Sequence, residues 1–442
     1  MPMSQPPSTV IDNIEQLKEY LQAAVKLEHA TIPPYLTAAY SAKIEKNKAT
    51  MDIIRAVAKE EMLHLTLAAN LLNAIGGQPD LVSPDFVPDY PAPLPTGQDD
   101  FTVGIERFSD SALRIFFDIE RPTSLKPEQE GVVQHIQKVV PISGRHVDPA
   151  ILKNPMVPIE PVGNDEYELH YDIAVVPHDQ LTEKRRTISE AGESLIPRVP
   201  PQNSDANRIV LHYWNIGEFY KAIHLGFVEL TNKLGMEGLF TGDRSRQIDP
   251  KYFFSAGGES VVVIDLRTAL MAVDLIAGQG EGSNNRVYDS AGELAHYYRF
   301  DQIGRGQYYR DPKRDGSGDE ADHPTGVKFE VEMDAVFPIR ANAKMADYKG
   351  HPELEENALL FNGRYKRFLE TLNTAFSGHP ELLGAAFHSE MWGIRVAMER
   401  LIKNPIPGAH ENAAPTFEMK HFKYPPAETA TAVTPTTVAT HA

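Results

Sequence analysis

The sequence predicts a mainly α-helical protein. Its centre is a four-helix bundle, with a large mixed or β-containing insertion and extra C-terminal helices. Two observations predict the bundle: apolar residues recur at helical spacing in several segments, and four of those stripes carry an inward-facing glutamate. A third predicts the insertion. Residues 78–205 become proline-rich, as in PDYPAPLPTG, and then alternate like a strand at Leu169, Tyr171, Ile173 and Val175.

The first helix is expected within residues 11–43, where Ile14, Leu17, Leu21, Ala24 and Glu28 follow at three- or four-residue steps. Pro33 and Pro34 should kink it, because each removes a backbone donor. A second helix is expected from 50 to 75, ending at Gly76-Gly77. Its stripe is Ile54, Val57, Glu61, His64, Ala68, Leu72 and Ile75. A turn over Lys43–Lys48 would set Glu28 level with Glu61 and His64. In the insertion, Ser109 can cap a short helix reaching Asp118. A third bundle helix fits 206–235, with Leu211, Trp214, Glu218, Ala222 and Leu225 on one stripe. An apolar helix fits 261–277, broken by GQGEGS. The next helix, about 286–304, would align Asp289, Glu293, His296, Phe300 and Ile303. Residues 305–325 read as loop, 327–333 as a strand, and 355–377 and 379–403 as helices. The division is therefore 11–77 (bundle helices 1 and 2), 78–205 (insertion), 206–306 (bundle helices 3 and 4), 307–423 (C-terminal extension) and 424–442 (disordered tail).

A formal charge of −18 argues against nucleic acid as a partner. No apolar run approaches the roughly 18 residues that span a bilayer, and the N-terminus lacks signal-peptide character, so a cytoplasmic protein without a membrane partner is expected. Zero cysteines exclude thiolate-bound iron–sulfur clusters, thiolate-ligated haem and thiol nucleophiles.

Glu-x-x-His is a weak motif alone: with 16 histidines, roughly one copy arises by chance. Four are present. Glu320/His323 and Glu418/His421 lie in loop-like sequence and read as coincidental. Glu61/His64 and Glu293/His296 lie on amphipathic stripes, where residues three apart share a face. With Glu28 and Glu218 they give Glu … Glu-x-x-His … Glu … Glu-x-x-His, the ligand order of a ferritin-like bundle holding two metal ions. Four carboxylates and two imidazoles suit two iron ions, or manganese, better than structural zinc. The alternative is a set of inward-facing polar residues joined by hydrogen bonds or ion pairs, and burying four glutamates without cations would be costly. Glu60 is the register rival of Glu61. His29 is expected to face away or pack against the Pro33 kink, His224 to be a core or surface residue rather than an extra ligand, and Asp289 to orient a ligand or begin a helix. Tyr35 and Tyr220 are candidates for the cavity wall.

The segments LEHATIPPYL (27–36), KEEMLHL (59–65), IERP (119–122), IGEFYKAI (216–223), GQGEG (278–282), ELAHYYRF (293–300) and PTFEM (415–419) resemble the ferritin-like domain of the violacein/rebeccamycin imine-dimer synthases, the iminophenyl-pyruvate dimer synthase family. The resemblance covers most of residues 11–420. It implies a ferritin-like bundle with an inserted lobe, and metal ligands at Glu28, Glu61, His64, Glu218, Glu293 and His296. The pathway enzymes carry further regions, so what carries over is the scaffold and an oxidative role in secondary metabolism. Nothing in the sequence demands haem. The expected function is a non-haem di-iron oxidase or oxygenase using O₂ on a small substrate, aromatic or amino-acid-derived. An iron-storage protein and an imine-coupling enzyme are the alternatives, and a homodimer is compatible with either.

Overall fold

The computed structural model describes residues 11–95, 101–122, 134–148, 152, 155–177, 211–253, 258–281, 287–289, 292–310, 323–420 and 422. Its first two helices form an antiparallel hairpin, α1 (Ile14–Ser41) and α2 (Ile44–Ala74). Asn13 caps α1 by accepting from the Gln16 amide. The helix continues through Pro33 and Pro34. Pro34 cannot donate to the Ala30 carbonyl, and the Tyr90 hydroxyl donates to it instead at 3.0 Å. The chain reverses at Ala42–Lys43, earlier than the polar run suggested. The run is already helical from Ile44, and Asn47, itself out of helical geometry, is tied to the Glu332 and Ala335 carbonyls and the Glu332 amide. At the far end Gly76 has φ +73° and Gly77 N–H returns to the Leu72 carbonyl.

In the insertion, Ser109 caps α3 (Asp110–Ile119) as expected, and Glu120 is its C-cap residue. The strands are β1 (Gln134–Ser143), β2 (Ile159–Gly163), β3 (Glu166–Pro177) and β4 (Leu211–Tyr213). All pair with β3 antiparallel. β1 pairs with Glu166–Val175 of β3, while β2 and β4 pair with its opposite ends. Leu169, Tyr171, Ile173 and Val175 are all buried, as their alternation predicted.

The remaining bundle helices are α4 (Ile216–Leu234) and α5 (Leu266–Glu281). α5 packs on α4 and α2, and α4 on α1 and β3. Several sequence expectations change here. Residues 211–213 are strand, and 206–210 lie outside the described residues. α5 runs on through Gly278-Gln279-Gly280-Glu281. The expected 286–304 helix is only α6 (His296–Arg305). Ahead of it the chain doubles back: Tyr288 bridges Leu294, Asp289 Oδ1 accepts from the Glu293 amide, and Gly292 takes φ +79°. That closed turn competes with a helical start.

Residues 327–333 form no strand. Lys328 makes an isolated bridge to Gln307, and Val327 is exposed. The C-terminal helices are α7 (Pro352–Ala375) and α8 (Met391–Ile402), the latter preceded by a π-helical turn over Ala385–Glu390. α7 packs on α8, and α8 on α1. The proposed disordered tail lies outside the described residues. No described helix is long and apolar enough to cross a membrane.

Candidate metal centre

Five buried donors meet between α1, α2, α3 and α6: Glu28, Glu61, His64, Glu120 and His296. Glu28 sits mid-α1 and Glu61 and His64 mid-α2, so the hairpin alone fixes three of them. His64 Nδ1 is 3.4 Å from Glu28 Oε2 and 3.8 Å from Glu61 Oε1. His296, the first residue of α6, approaches from the other side. Its Nδ1 is 2.8 Å from the same Glu61 Oε1 and 3.5 Å from Glu120 Oε2. The two imidazoles stack with centroids 5.3 Å apart. Donor atoms of Glu61, His64 and His296 lie within 4.8 Å of one another. Glu61 therefore lies between two pairs, Glu28/His64 and Glu120/His296.

Each donor is held from behind. The Tyr220 hydroxyl donates to Glu28 and the Tyr35 hydroxyl to Glu120 (2.5 Å). The Thr31 hydroxyl is 3.0 Å from Glu61 Oε2. His64 Nε2 is 3.0 Å from Gln279 Oε1 on α5, and His296 Nε2 is 2.9 Å from Glu60 Oε2. Arg299 holds the other Glu60 oxygen at 2.9 Å. Both imidazoles thus anchor Nε2 outward and present Nδ1 inward, the arrangement of a metal-binding histidine with its outer partner.

Protonation follows from this crowding. Burial, with repulsion from Glu120, pushes Glu61 up to about 7 against the pull of His296. Burial lowers His296, but Glu120, Glu60 and Glu61 outweigh it and raise the group well above its usual value. His64 is raised for the same reason, with Glu28 and Glu61 overcoming burial. Burial and the neighbouring carboxylates hold Tyr35 and Tyr220 as neutral phenols, able to donate. The residues fit two oxygen-preferring cations on three grounds: three carboxylates and two imidazoles are present, His296 Nδ1 is buried and makes no aligned hydrogen bond despite its short contact with Glu61, and both rings are pre-oriented.

Four of the six sequence-derived ligands, Glu28, Glu61, His64 and His296, are brought together. The other two are not. Glu218 is buried at the start of α4, but its carboxylate accepts from the Ala174 amide on β3 (2.8 Å) and Lys221 Nζ (2.9 Å). Glu293 lies exposed in the turn before α6, not on its face. Glu61 faces the cluster while its rival Glu60 supports His296. His29 does face away, 2.6 Å from the Tyr365 hydroxyl. Glu120 and Gln279 were not singled out. Both stand in the quoted segments IERP and GQGEG, and Glu120 follows the apolar end of a capped helix, which is the readable signal.

A second buried cluster lies between α4, α5 and β3. His224 Nδ1 is 2.6 Å from the Tyr171 hydroxyl, and its Nε2 is 3.8 Å from Asp274. Burial lowers His224 to about 3 and lifts Asp274 to about 8.

The sequence profile of a family described as ferritin-like matches residues 21–305, a span that holds all five donors. The structure is similar to that of a ferritin-like protein from Caulobacter vibrioides, at 20% identity and a TM-score of 0.49, covering 93% of this chain and 99% of that one. No curated protein matches the chain.

Proposed function

This chain belongs to the ferritin-like family, and from that premise we propose that it is a non-haem di-iron oxidase or oxygenase acting on a small organic substrate. One observation carries the reading: Glu61 stands between a Glu28/His64 pair and a Glu120/His296 pair, all buried, with both imidazoles anchored from outside. Two irons held there would supply the electrons that reduce O₂ and the oxidising power delivered to the substrate. The protein's part is geometric. Tyr220 and Tyr35 hold one oxygen each of Glu28 and Glu120, leaving the second oxygen for an ion. Phe116 and Phe300, with rings 4.7 and 5.3 Å from that of Tyr35, keep water from the Glu120 side.

A second reading, imine coupling as in the dimer synthases, is favoured by a specific coincidence. The segments that carry that resemblance also supply Glu28, Glu61, His64, Glu120, Tyr220, Gln279 and His296 to one place. Both readings fit an aromatic or amino-acid-derived substrate.

The test is metal content by mass spectrometry after anaerobic Fe(II) loading and desalting, followed by O₂ exposure with candidate substrates. Two irons per chain and substrate-dependent O₂ uptake are expected. Retained iron without any substrate oxidation would make the protein an iron-storage member. An iron-free protein would overturn the reading.

A further inference from the structure

The two halves of the centre are supported alike except at one point. Each outer carboxylate receives one phenol hydroxyl, Tyr220 on Glu28 and Tyr35 on Glu120, and both halves share Glu61. The imidazoles differ in what holds them. His64 Nε2 meets the neutral amide oxygen of Gln279, whereas His296 Nε2 meets the carboxylate of Glu60. Glu60 is itself pinned by Arg299, whose Nε donates to the Leu294 carbonyl at 2.6 Å. Arg299 therefore keeps Glu60 as a support and stops it from swinging toward the ions.

Building on the two-metal reading, we infer that Glu60 and Gln279 are positioning residues that make the two metal positions unequal: the Glu120/His296 position binds its ion first and more tightly than the Glu28/His64 position. A carboxylate accepting the outer N–H forms a charge-assisted hydrogen bond, roughly twice as strong as one to an amide. It leaves more electron density on the inward nitrogen and so makes that imidazole the better ligand. The amide of Gln279 orients His64 without that effect.

The test is an equilibrium titration of metal-free protein with Mn(II), reading free aqueous Mn(II) by its electron paramagnetic resonance signal. Wild type should bind two equivalents, one tight and one weaker. Glu60→Gln should weaken the tight equivalent by roughly 10- to 100-fold and leave the other unchanged. Gln279→Glu should tighten the weaker equivalent, drawing the two together. Circular dichroism of each metal-free variant checks folding, and if Glu60→Gln does not fold, Gln279→Glu decides alone. Two identical equivalents in wild type, or equal weakening of both in Glu60→Gln, would overturn the inference while leaving the two-metal reading intact. A wild type that retains no metal in either this titration or the iron loading would overturn both.

Discussion

The α1–α2 hairpin and the rest of the centre supply donors in different ways. The hairpin places Glu28, Glu61 and His64 on the interiors of two long helices, where helical spacing alone fixes which side chains face inward. The opposite side is assembled from helix ends: Glu120 from the C-cap of a ten-residue helix and His296 from the first residue of another. Gln279, which supports the centre from behind, comes from the last turn of α5. Helix interiors are set by periodicity, whereas helix ends are set by caps, turns and tertiary contacts. The second side is therefore where a pattern reading goes wrong and where substitutions separate the alternatives.

The largest expected effect tests that division. Glu120→Ala should cut retained iron by half or more, while Glu293→Ala retains the wild-type complement and changes stability by no more than about 0.5 kcal/mol. Glu218→Ala should also keep its iron, but should lose about 1–3 kcal/mol of stability because the Ala174 amide loses its acceptor. Iron counted by mass spectrometry decides the comparison, and iron loss in Glu293→Ala with full loading in Glu120→Ala would restore the pattern-derived ligand set.

Next in size is a pH effect on the α4–α5 side. Asp274 is lifted to about 8 from its ordinary 3.8. Between those values the folded protein binds a proton that the unfolded chain has released, so stability falls as pH rises through the window and levels off above about 8. Asp274→Asn should remove this contribution, so the difference in melting temperature between variant and wild type should grow from pH 5 to pH 8. A constant difference would show that the carboxyl is already charged.

Smaller effects compare the two sides directly. Tyr220→Phe removes the hydroxyl from Glu28, and Tyr35→Phe removes it from Glu120. Each should lower stability in denaturant titration by about 1.5–3 kcal/mol, the range for a hydrogen bond to a charged group. Asn13→Ala, at the N-cap of α1 and remote from the centre, should cost about 1 kcal/mol and leave metal content unchanged.

The hairpin, the Ser109-capped helix and the buried alternation of β3 were legible because each is a local pattern with a local physical cause. Glu218 misled because it lies on the correct helix and is buried, and what decides its role is the Ala174 amide 44 residues away in the chain. Glu293 misled because Glu-x-x-His spacing has meaning only within a continuous helix, and the turn that Asp289 and Gly292 make delays the start of that helix to His296, three residues past it. Glu120 was hidden because it stands at the C-cap of a short helix, where no spacing rule singles out one acid. Gln279 was hidden because an amide behind a histidine has no spacing rule of its own.

The donors are also far apart in the chain. A chain without cysteines cannot form disulfides, yet Glu28 to His64, and Glu61 and Glu120 to His296, are the kind of distant pairs that cross-links join. An ion shared by Glu120 and His296 would close a loop through the rest of the insertion, α4 and α5, restricting the unfolded chain as a covalent bridge does. Unlike a covalent bridge, such a fastening is undone by acid or a chelator and remade by adding the ion back.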